Sequence, residues 1–90
     1  MIPLNILLVE DDTIDAMEFR RAISKSNVAV QEIRVCRYAE EAITTLETWL
    51  PTCIFIDYQL PKTNGLDLLK KIKKTVPKLP VIILTSQGDE

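Results

Sequence analysis

The 90-residue chain contains no histidine, two glycines, two cysteines and no long hydrophobic run. Without histidine, this chain cannot carry histidine-based catalysis, a histidine-ligated metal or a phosphohistidine. No apolar run approaches the roughly 18 residues that a membrane span needs, and the N-terminus lacks the basic start and the cleavage site of a signal peptide. We therefore expect a cytoplasmic protein in which Cys36 and Cys53 are reduced thiols.

The balance of charge argues against two further classes of protein, those that bind nucleic acids directly and those with a polybasic membrane anchor. Eleven Lys and Arg against thirteen Asp and Glu give a net charge of −2. The basic excess of proteins that bind nucleic acids directly is therefore absent, as is that of polybasic membrane anchors. The length fits a single domain of about three βα units and one more strand, because each unit takes roughly 25 residues.

Short apolar runs alternate with helical patterns along the chain. Continuous apolar runs at 6–9, 53–56 and 81–84 predict strands buried on both faces, which is typical of parallel sheets. Interleaved β-branched and polar residues at 30–36 predict a half-covered strand near the edge of the sheet. With helices between the strands, this order predicts an α/β fold with a parallel sheet and right-handed crossovers.

Apolar residues at helical spacing fill the three intervals between strands. They are Ile14, Met17, Phe19, Ala22 and Ile23; then Ala39, Ala42, Ile43, Leu46 and Trp49; then Leu66, Leu69, Ile72 and Val76. Asp12 or Thr13 can cap the first helix, and Pro51 and Pro77 end the second and third. We expect Trp49 to be a packing residue.

Polar side chains follow three of the four predicted strands at the point where each strand ends. They are Glu10, Asp11 and Asp12; then Asp57; then Thr85 and Ser86. Because the carboxyl ends of parallel strands lie at one edge of a sheet, these groups are expected to converge where α/β sheets bind ligands. A cluster of carboxylates without His or Cys is suited to Mg²⁺.

The chemistry expected at this edge is phosphoryl transfer. An aspartate beside Mg²⁺ can attack phosphorus and form an aspartyl phosphate, and Asp57 stands alone at the end of its strand. The metal would offset charge on the phosphoryl group. The Thr85 hydroxyl could donate a hydrogen bond to a phosphoryl oxygen.

Three segments together resemble the receiver domain of response regulators in two-component phosphorelays. They are ILLVEDD at 6–12, DYQLPKTNG at 57–65 and PVIILT at 80–85. The resemblance covers all ninety residues. It implies a flavodoxin-like parallel sheet in the order 2-1-3-4 with helices on both faces. It also implies a signalling phosphoacceptor rather than an enzyme, with at most weak self-dephosphorylation.

The resemblance also assigns roles. Asp57 is similar to the phosphoacceptor that takes a phosphoryl group from a histidine kinase or a phosphotransfer protein. Glu10 and Asp11, together with Asp57 and the main-chain carbonyl of Gln59, would hold Mg²⁺. Thr85 is similar to the hydroxyl that moves toward the phosphoryl group on activation.

The loop after the phosphoacceptor and the residue after the acidic pair also match the family. Pro61 and the pair Asn64–Gly65 correspond to its turn, where Asn and Gly tolerate left-handed backbone. Asp12 follows the acidic pair, and a helix-capping role is the first expectation for it.

The chain departs from the family because it carries four of the usual five strands. Residues 1–90 are therefore expected to form an incomplete receiver domain, either a fragment or a shortened form. The family's lysine and aromatic residue of strand five have no counterpart here. This departure leaves open a phosphorylation-independent pseudo-receiver that acts in protein interaction or assembly. A phosphohydrolase is a weaker alternative, because such enzymes commonly place a second acid where this chain has Gln59.

Charged side chains and an open sheet edge are expected at the surface. The lysine run Lys70, Lys71, Lys73 and Lys74 is expected to be the solvated face of the third helix. Arg20 and Arg21 are either solvated or contact a helix of the phosphoryl donor. The apolar fourth strand would present an open sheet edge, which favours pairing with another chain. A homodimer or larger oligomer is therefore expected.

Overall fold

The computed structural model describes residues 2–85. Its elements are, in chain order, β1 (Leu4–Val9), α1 (Thr13–Lys25), β2 (Val30–Cys36), α2 (Ala39–Thr48), β3 (Cys53–Asp57), β4 (Gln59–Leu60), β5 (Thr63–Asn64), α3 (Gly65–Thr75) and β6 (Val81–Leu84). The main sheet is parallel and has the order β2-β1-β3-β6. The predicted α/β fold, strand order and edge position of β2 are confirmed. The short antiparallel hairpin β4–β5 was not predicted.

The two central strands are buried because helices cover both faces of the sheet. Leu7 and Ile54 point to one face, where they form a fully buried core with side chains of α2 and α3. On the other face, the ring of Phe19 from α1 meets the ring of Phe55 edge-on, with centroids 4.9 Å apart. The sheet therefore fixes the ends of β1 and β3 rigidly beside each other.

The buried face of α1 differs from the predicted stripe. Ile14 and Met17 are 65% and 62% exposed, whereas Ala16 is buried and Phe19 and Ile23 are partly buried. The inner face follows the spacing 16, 19 and 23, and residues 14 and 17 lie on the opposite side of the helix. The prediction was therefore wrong for Ile14, Met17 and Ala22, which is also exposed, and right for Phe19 and Ile23.

A similar shift occurs on α3. Leu66 is 45% exposed, whereas Leu68 and Ile72, four residues apart, are buried against the sheet. Ile72 confirms the predicted stripe, and Leu66 contradicts it. On α2, the buried Ala42 agrees with the prediction. Trp49 is the C-cap of α2 and packs partly buried against the core, as predicted, with the Arg34 guanidinium 4.2 Å from its ring centroid.

Two predicted surface cations have structural roles. The Lys73 ammonium donates to the carbonyl oxygens of Leu79 and Pro77, at 2.6 and 3.3 Å, and so ties the end of α3 to the following loop. Arg20 donates through Nη2 to the carbonyl of Ile33 at 3.2 Å, which joins α1 to β2. The other three lysines of the run are exposed, as predicted.

The structure also bears on the predictions for membrane spans and for the two cysteines. Within residues 2–85, no helix combines the length and the apolarity required to cross a bilayer. Cys36 and Cys53 are free thiols, in agreement with the sequence. Burial raises the pKa of both thiols above the ordinary value, so they are poor nucleophiles.

Candidate functional site

The neighbouring ends of β1 and β3 bring three acids together. Val9 pairs with Ile56 in register, so Glu10 and Asp57 lie at the same level of the sheet. One carboxylate oxygen from each of Glu10, Asp11 and Asp57 lies within 4.8 Å of the others. The predicted convergence is confirmed for these three residues. It follows from the parallel pairing, because in an antiparallel pair the same residues would lie at opposite ends.

The backbone around the three acids is held by the sheet and by local hydrogen bonds. Glu10 N–H donates to the carbonyl of Cys36 at 2.8 Å, and Tyr58 N–H donates to the carbonyl of Leu84 at 2.9 Å. The carboxylate of Asp57 accepts from Gln59 N–H through Oδ1 at 3.3 Å. These contacts place the acidic side chains before any ligand arrives.

Burial makes this concentration of charge costly. Glu10 and Asp57 are each 7% exposed, and they are the buried charged residues of residues 2–85. Burial is the main reason why the pKa of Glu10 rises from 4.5 to about 7, and the nearby charge of Asp57 adds to this rise. The N–H of Asp12, which donates to Glu10 Oε2 at 3.1 Å, acts in the opposite direction.

The acids line a cavity of about 510 Å³, and its donor chemistry fits a hard divalent cation. Its lining residues are Glu10, Asp11, Asp12, Asp15, Asp57, Gln59, Leu60 and Pro61. All the charged groups in this lining are carboxylates, and no lysine or arginine of the described chain is among them. Burial is the main cause of the raised pKa of Glu10, and a bound cation would offset both this cost and the repulsion from Asp57 by stabilising the charged carboxylates. The three acids are the residues that the resemblance to receiver domains assigns to the Mg²⁺ site.

The other candidate site residues lie at different positions relative to the acidic cavity. Asp12 is the N-cap of α1 and accepts from Asp15 N–H at 2.9 Å, so its predicted capping role is confirmed. Gln59 lines the cavity. Thr85 is exposed and follows Leu84, the residue of β6 that pairs with Asp57. Thr85 is not part of the cavity lining, and Ser86 lies outside the described residues.

The loop between Asp57 and α3 differs in detail from the prediction. The left-handed residue is Lys62, with φ of 67°, and neither Asn64 nor Gly65 has a positive φ. The expectation that Asn64 and Gly65 adopt left-handed backbone was therefore wrong. Asn64, with φ of −141°, caps α3 by accepting from Asp67 N–H at 2.9 Å.

Gly65 is required for space rather than for backbone conformation. A Cβ atom at Gly65 would lie 2.8 Å from the carbonyl oxygen of Asp57 and 3.1 Å from the Cα of Tyr58. Gly65 N–H also donates to the carbonyl of Tyr58 at 2.7 Å. The start of α3 thus touches the backbone that carries Asp57, a contact that the sequence alone did not indicate.

The sequence of this chain is similar to those of known response regulators. Residues 6–90 match the family described as response regulator receiver domain. The DNA-binding transcriptional regulator NtrC of Proteus hauseri is 33% identical over 85 residues, which are 94% of this chain and 17% of that protein. The chain spans between 17% and 36% of the length of the curated relatives compared.

Solved structures show the same architecture. The phosphorylated cyanobacterial phytochrome response regulator RcpA has a TM-score of 0.83 and 29% identity, covering 98% of this chain and 69% of its own. The Mn²⁺-bound form of response regulator Rcp1 has a TM-score of 0.80 and 29% identity, with the same two coverages. The chain therefore belongs to the response regulator receiver domain family of two-component signalling, whose members are signalling phosphoacceptors rather than classical enzymes.

Proposed function

We propose that this chain is the phosphoacceptor receiver of a two-component phosphorelay. Asp57 takes the phosphoryl group from a phosphohistidine of a histidine kinase or a phosphotransfer protein. Mg²⁺ is held by Glu10, Asp11, Asp57 and the main-chain carbonyl of Gln59. The observation that carries this proposal is the cluster of three carboxylates, with oxygens within 4.8 Å of one another, at the end of two neighbouring parallel strands.

In the proposed reaction, a carboxylate oxygen of Asp57 attacks phosphorus. The P–N bond of the donor breaks, and its electron pair leaves with the imidazole. When bound, Mg²⁺ offsets the negative charge of the phosphoryl group and of the attacking carboxylate. The N–H of Gln59 donates to Asp57 Oδ1 and thereby orients the carboxylate. The similarity to a phosphorylated and to a Mn²⁺-bound response regulator supports this assignment.

Thr85 completes the proposal as the switch hydroxyl. It follows Leu84, whose carbonyl accepts from Tyr58 N–H at 2.9 Å. Leu84 also pairs with Asp57 in register, so Thr85 directly follows the position of β6 that is level with Asp57. A phosphoryl group on Asp57 would offer it a charged acceptor.

Treatment with acetyl phosphate and Mg²⁺ should add the mass of one phosphoryl group to the intact chain. Asp57→Asn should abolish this gain, because a carboxamide is a far weaker nucleophile than a carboxylate. Asp67→Asn is the matched control, since Asp67 is an exposed aspartate in the first turn of α3, outside the cavity. Intact-mass spectrometry at successive times measures the outcome. A gain that persists in Asp57→Asn, or no gain in the unmodified chain, would contradict the proposal.

A second candidate is a phosphorylation-independent interaction or assembly module. It is favoured by the absence of any lysine or arginine from the lining of the acidic cavity among residues 2–85. Such a cation would otherwise pair with the phosphoryl group. Calorimetric titration with Mg²⁺ distinguishes the two candidates. A chain that neither binds millimolar Mg²⁺ nor gains mass would be assigned to the second function.

Self-association through β6 is a further part of the proposal. β6 pairs with β3 alone in the described sheet, so its other edge has no strand partner there. Ile82 on this strand is 39% exposed. Pairing of two such edges would satisfy their backbone groups and cover this side chain.

Light scattering should therefore show a concentration-dependent dimer or larger oligomer. Ile82→Lys should shift the protein toward the monomer, because a charge on the apolar strand opposes edge pairing. Leu66→Lys is the control, since it alters a comparably exposed leucine on α3. A monomer at all concentrations of the unmodified chain would contradict self-association.

A further inference from the structure

A second and larger cavity lies between α2 and α3, on the sheet face that these helices cover. Its volume is about 650 Å³. α2 contacts β1 and β2, whereas α3 contacts β3 and β6, and the space between the helices is left as a groove. Apolar side chains form its floor, namely Ala39 and Ile43 from α2 and the buried Leu68 from α3. Pro61 lines one end of the groove and also lines the acidic cavity.

The rim of this groove carries an excess of positive charge. Lys71 and Lys74 line it from α3, and Lys62 lines it from the turn between β4 and β5. Glu40 is the acidic residue in the lining. Within residues 2–85, the one ion pair joins Arg34 to Glu32, so the three rim lysines have no carboxylate partner within 4.0 Å.

This charge distribution runs against that of the whole protein. The chain has a net charge of −2, and the neighbouring cavity is lined by acids. The groove is therefore a local cationic region with an apolar floor on an acidic molecule. Pockets of this size with an apolar base and a few charged groups are typical binding sites.

We propose that the groove binds an acidic peptide segment of a partner protein, with one apolar side chain of that segment as the anchor. The apolar floor would bury the anchor, and the three lysines would meet carboxylates on either side of it. A small inorganic anion would leave the floor formed by Ile43 and Leu68 unused. This inference does not depend on phosphorylation of Asp57, because no residue of the acidic triad lines the groove.

The test uses a fluorescein-labelled, capped peptide in which one leucine is flanked by aspartates and glutamates. Fluorescence anisotropy with the full chain should show saturable binding. Lys71→Glu combined with Lys74→Glu should weaken it by about tenfold or more. The matched control combines Lys70→Glu with Lys78→Glu, which changes the net charge equally at two exposed lysines outside the groove lining. This control should alter affinity by less than about twofold.

A second peptide, with serine in place of the leucine, tests the apolar floor and should bind more weakly than the first. Circular dichroism verifies that all variants are folded. The proposal is overturned if the peptide does not bind, if both double variants weaken binding equally, or if the serine peptide binds as well as the leucine peptide. A single-stranded oligonucleotide that competes as effectively as the peptide would also overturn it, since the site would then recognise any polyanion.

Discussion

Replacing Glu10 with glutamine should weaken Mg²⁺ binding by about tenfold or more, yet stabilise the metal-free protein. The two effects have one origin, because Glu10 is buried within 4.8 Å of two other carboxylates. Glutamine keeps an oxygen that can accept from Asp12 N–H, and it removes the charge that repels Asp57. At neutral to alkaline pH, the free energy of unfolding without metal should rise by about 1–2 kcal/mol.

The free-energy cost of the buried Glu10 charge should also appear in the pH dependence of stability. The pKa of Glu10 is about 7 in the folded chain against an ordinary value of 4.5. Between these two values, the folded state binds a proton that the unfolded state has lost. The stability of the metal-free protein should therefore fall as pH rises through this window. Saturating Mg²⁺ should reduce the fall, because the cation stabilises the charged form.

Urea denaturation with a chelator or with Mg²⁺, at several pH values between about 5 and 8, measures these effects. Calorimetry gives the Mg²⁺ affinity. Glu47→Gln is the matched control, since Glu47 is exposed on α2 and lies outside the acidic cavity. An unchanged Mg²⁺ affinity in Glu10→Gln would show that Glu10 does not bind the cation. A loss of metal-free stability would show that the charge of Glu10 does not destabilise the fold.

Gly65→Ala should destabilise the fold by about 2–3 kcal/mol and also impair the site. The added Cβ atom would lie 2.8 Å from the carbonyl oxygen of Asp57 and 3.1 Å from the Cα of Tyr58. Both are main-chain atoms, and no change of side-chain rotamer can relieve these contacts. Relief requires α3 to move away from β3 or the backbone of Asp57 to shift.

Two features make Gly65→Ala informative. Alanine has a higher helix propensity than glycine, and Gly65 has no positive φ, so any loss of stability would arise from the steric contact. Leu66→Ala, at the next and partly exposed position, should cost less than about 1 kcal/mol. Thermal unfolding measures the stability of the variant. The mass gain after acetyl phosphate treatment measures whether the site is impaired. Stability equal to that of the unmodified chain would contradict the contact as described.

The site was largely predictable because it depends on strand ends. Apolar runs that stop at Glu10 and at Asp57 identify two buried parallel strands, and parallel pairing then places both acids at one edge. The meeting of the two acids depends on the order of the strands and not on the conformation of any side chain. The same strand-end pattern puts Thr85 directly after Leu84, which pairs with Asp57, although Thr85 is not part of the cavity lining.

The helix faces were less predictable because hydrophobic residues occupy both sides of α1 and α3. Ile14 and Met17 fit a helical stripe as well as Phe19 and Ile23 do. Only the position of the helix on the sheet shows that the first pair is exposed. Periodicity gives the spacing of a buried face, and its direction depends on the neighbouring strands.

The amino-acid sequence by itself determined the order of strands and helices, the parallel sheet and the meeting of Glu10, Asp11 and Asp57, because these follow from local patterns and the chirality of crossovers. Tertiary structure decided the rest. It selected Lys62 as the left-handed residue, required Gly65 for its contact with the Asp57 backbone, and opened a lysine-rimmed groove between α2 and α3. The groove depends on the distance between two helices that are separated in the chain, whereas the roles of Lys62 and Gly65 depend on how the segment 57–65 folds back against the end of β3.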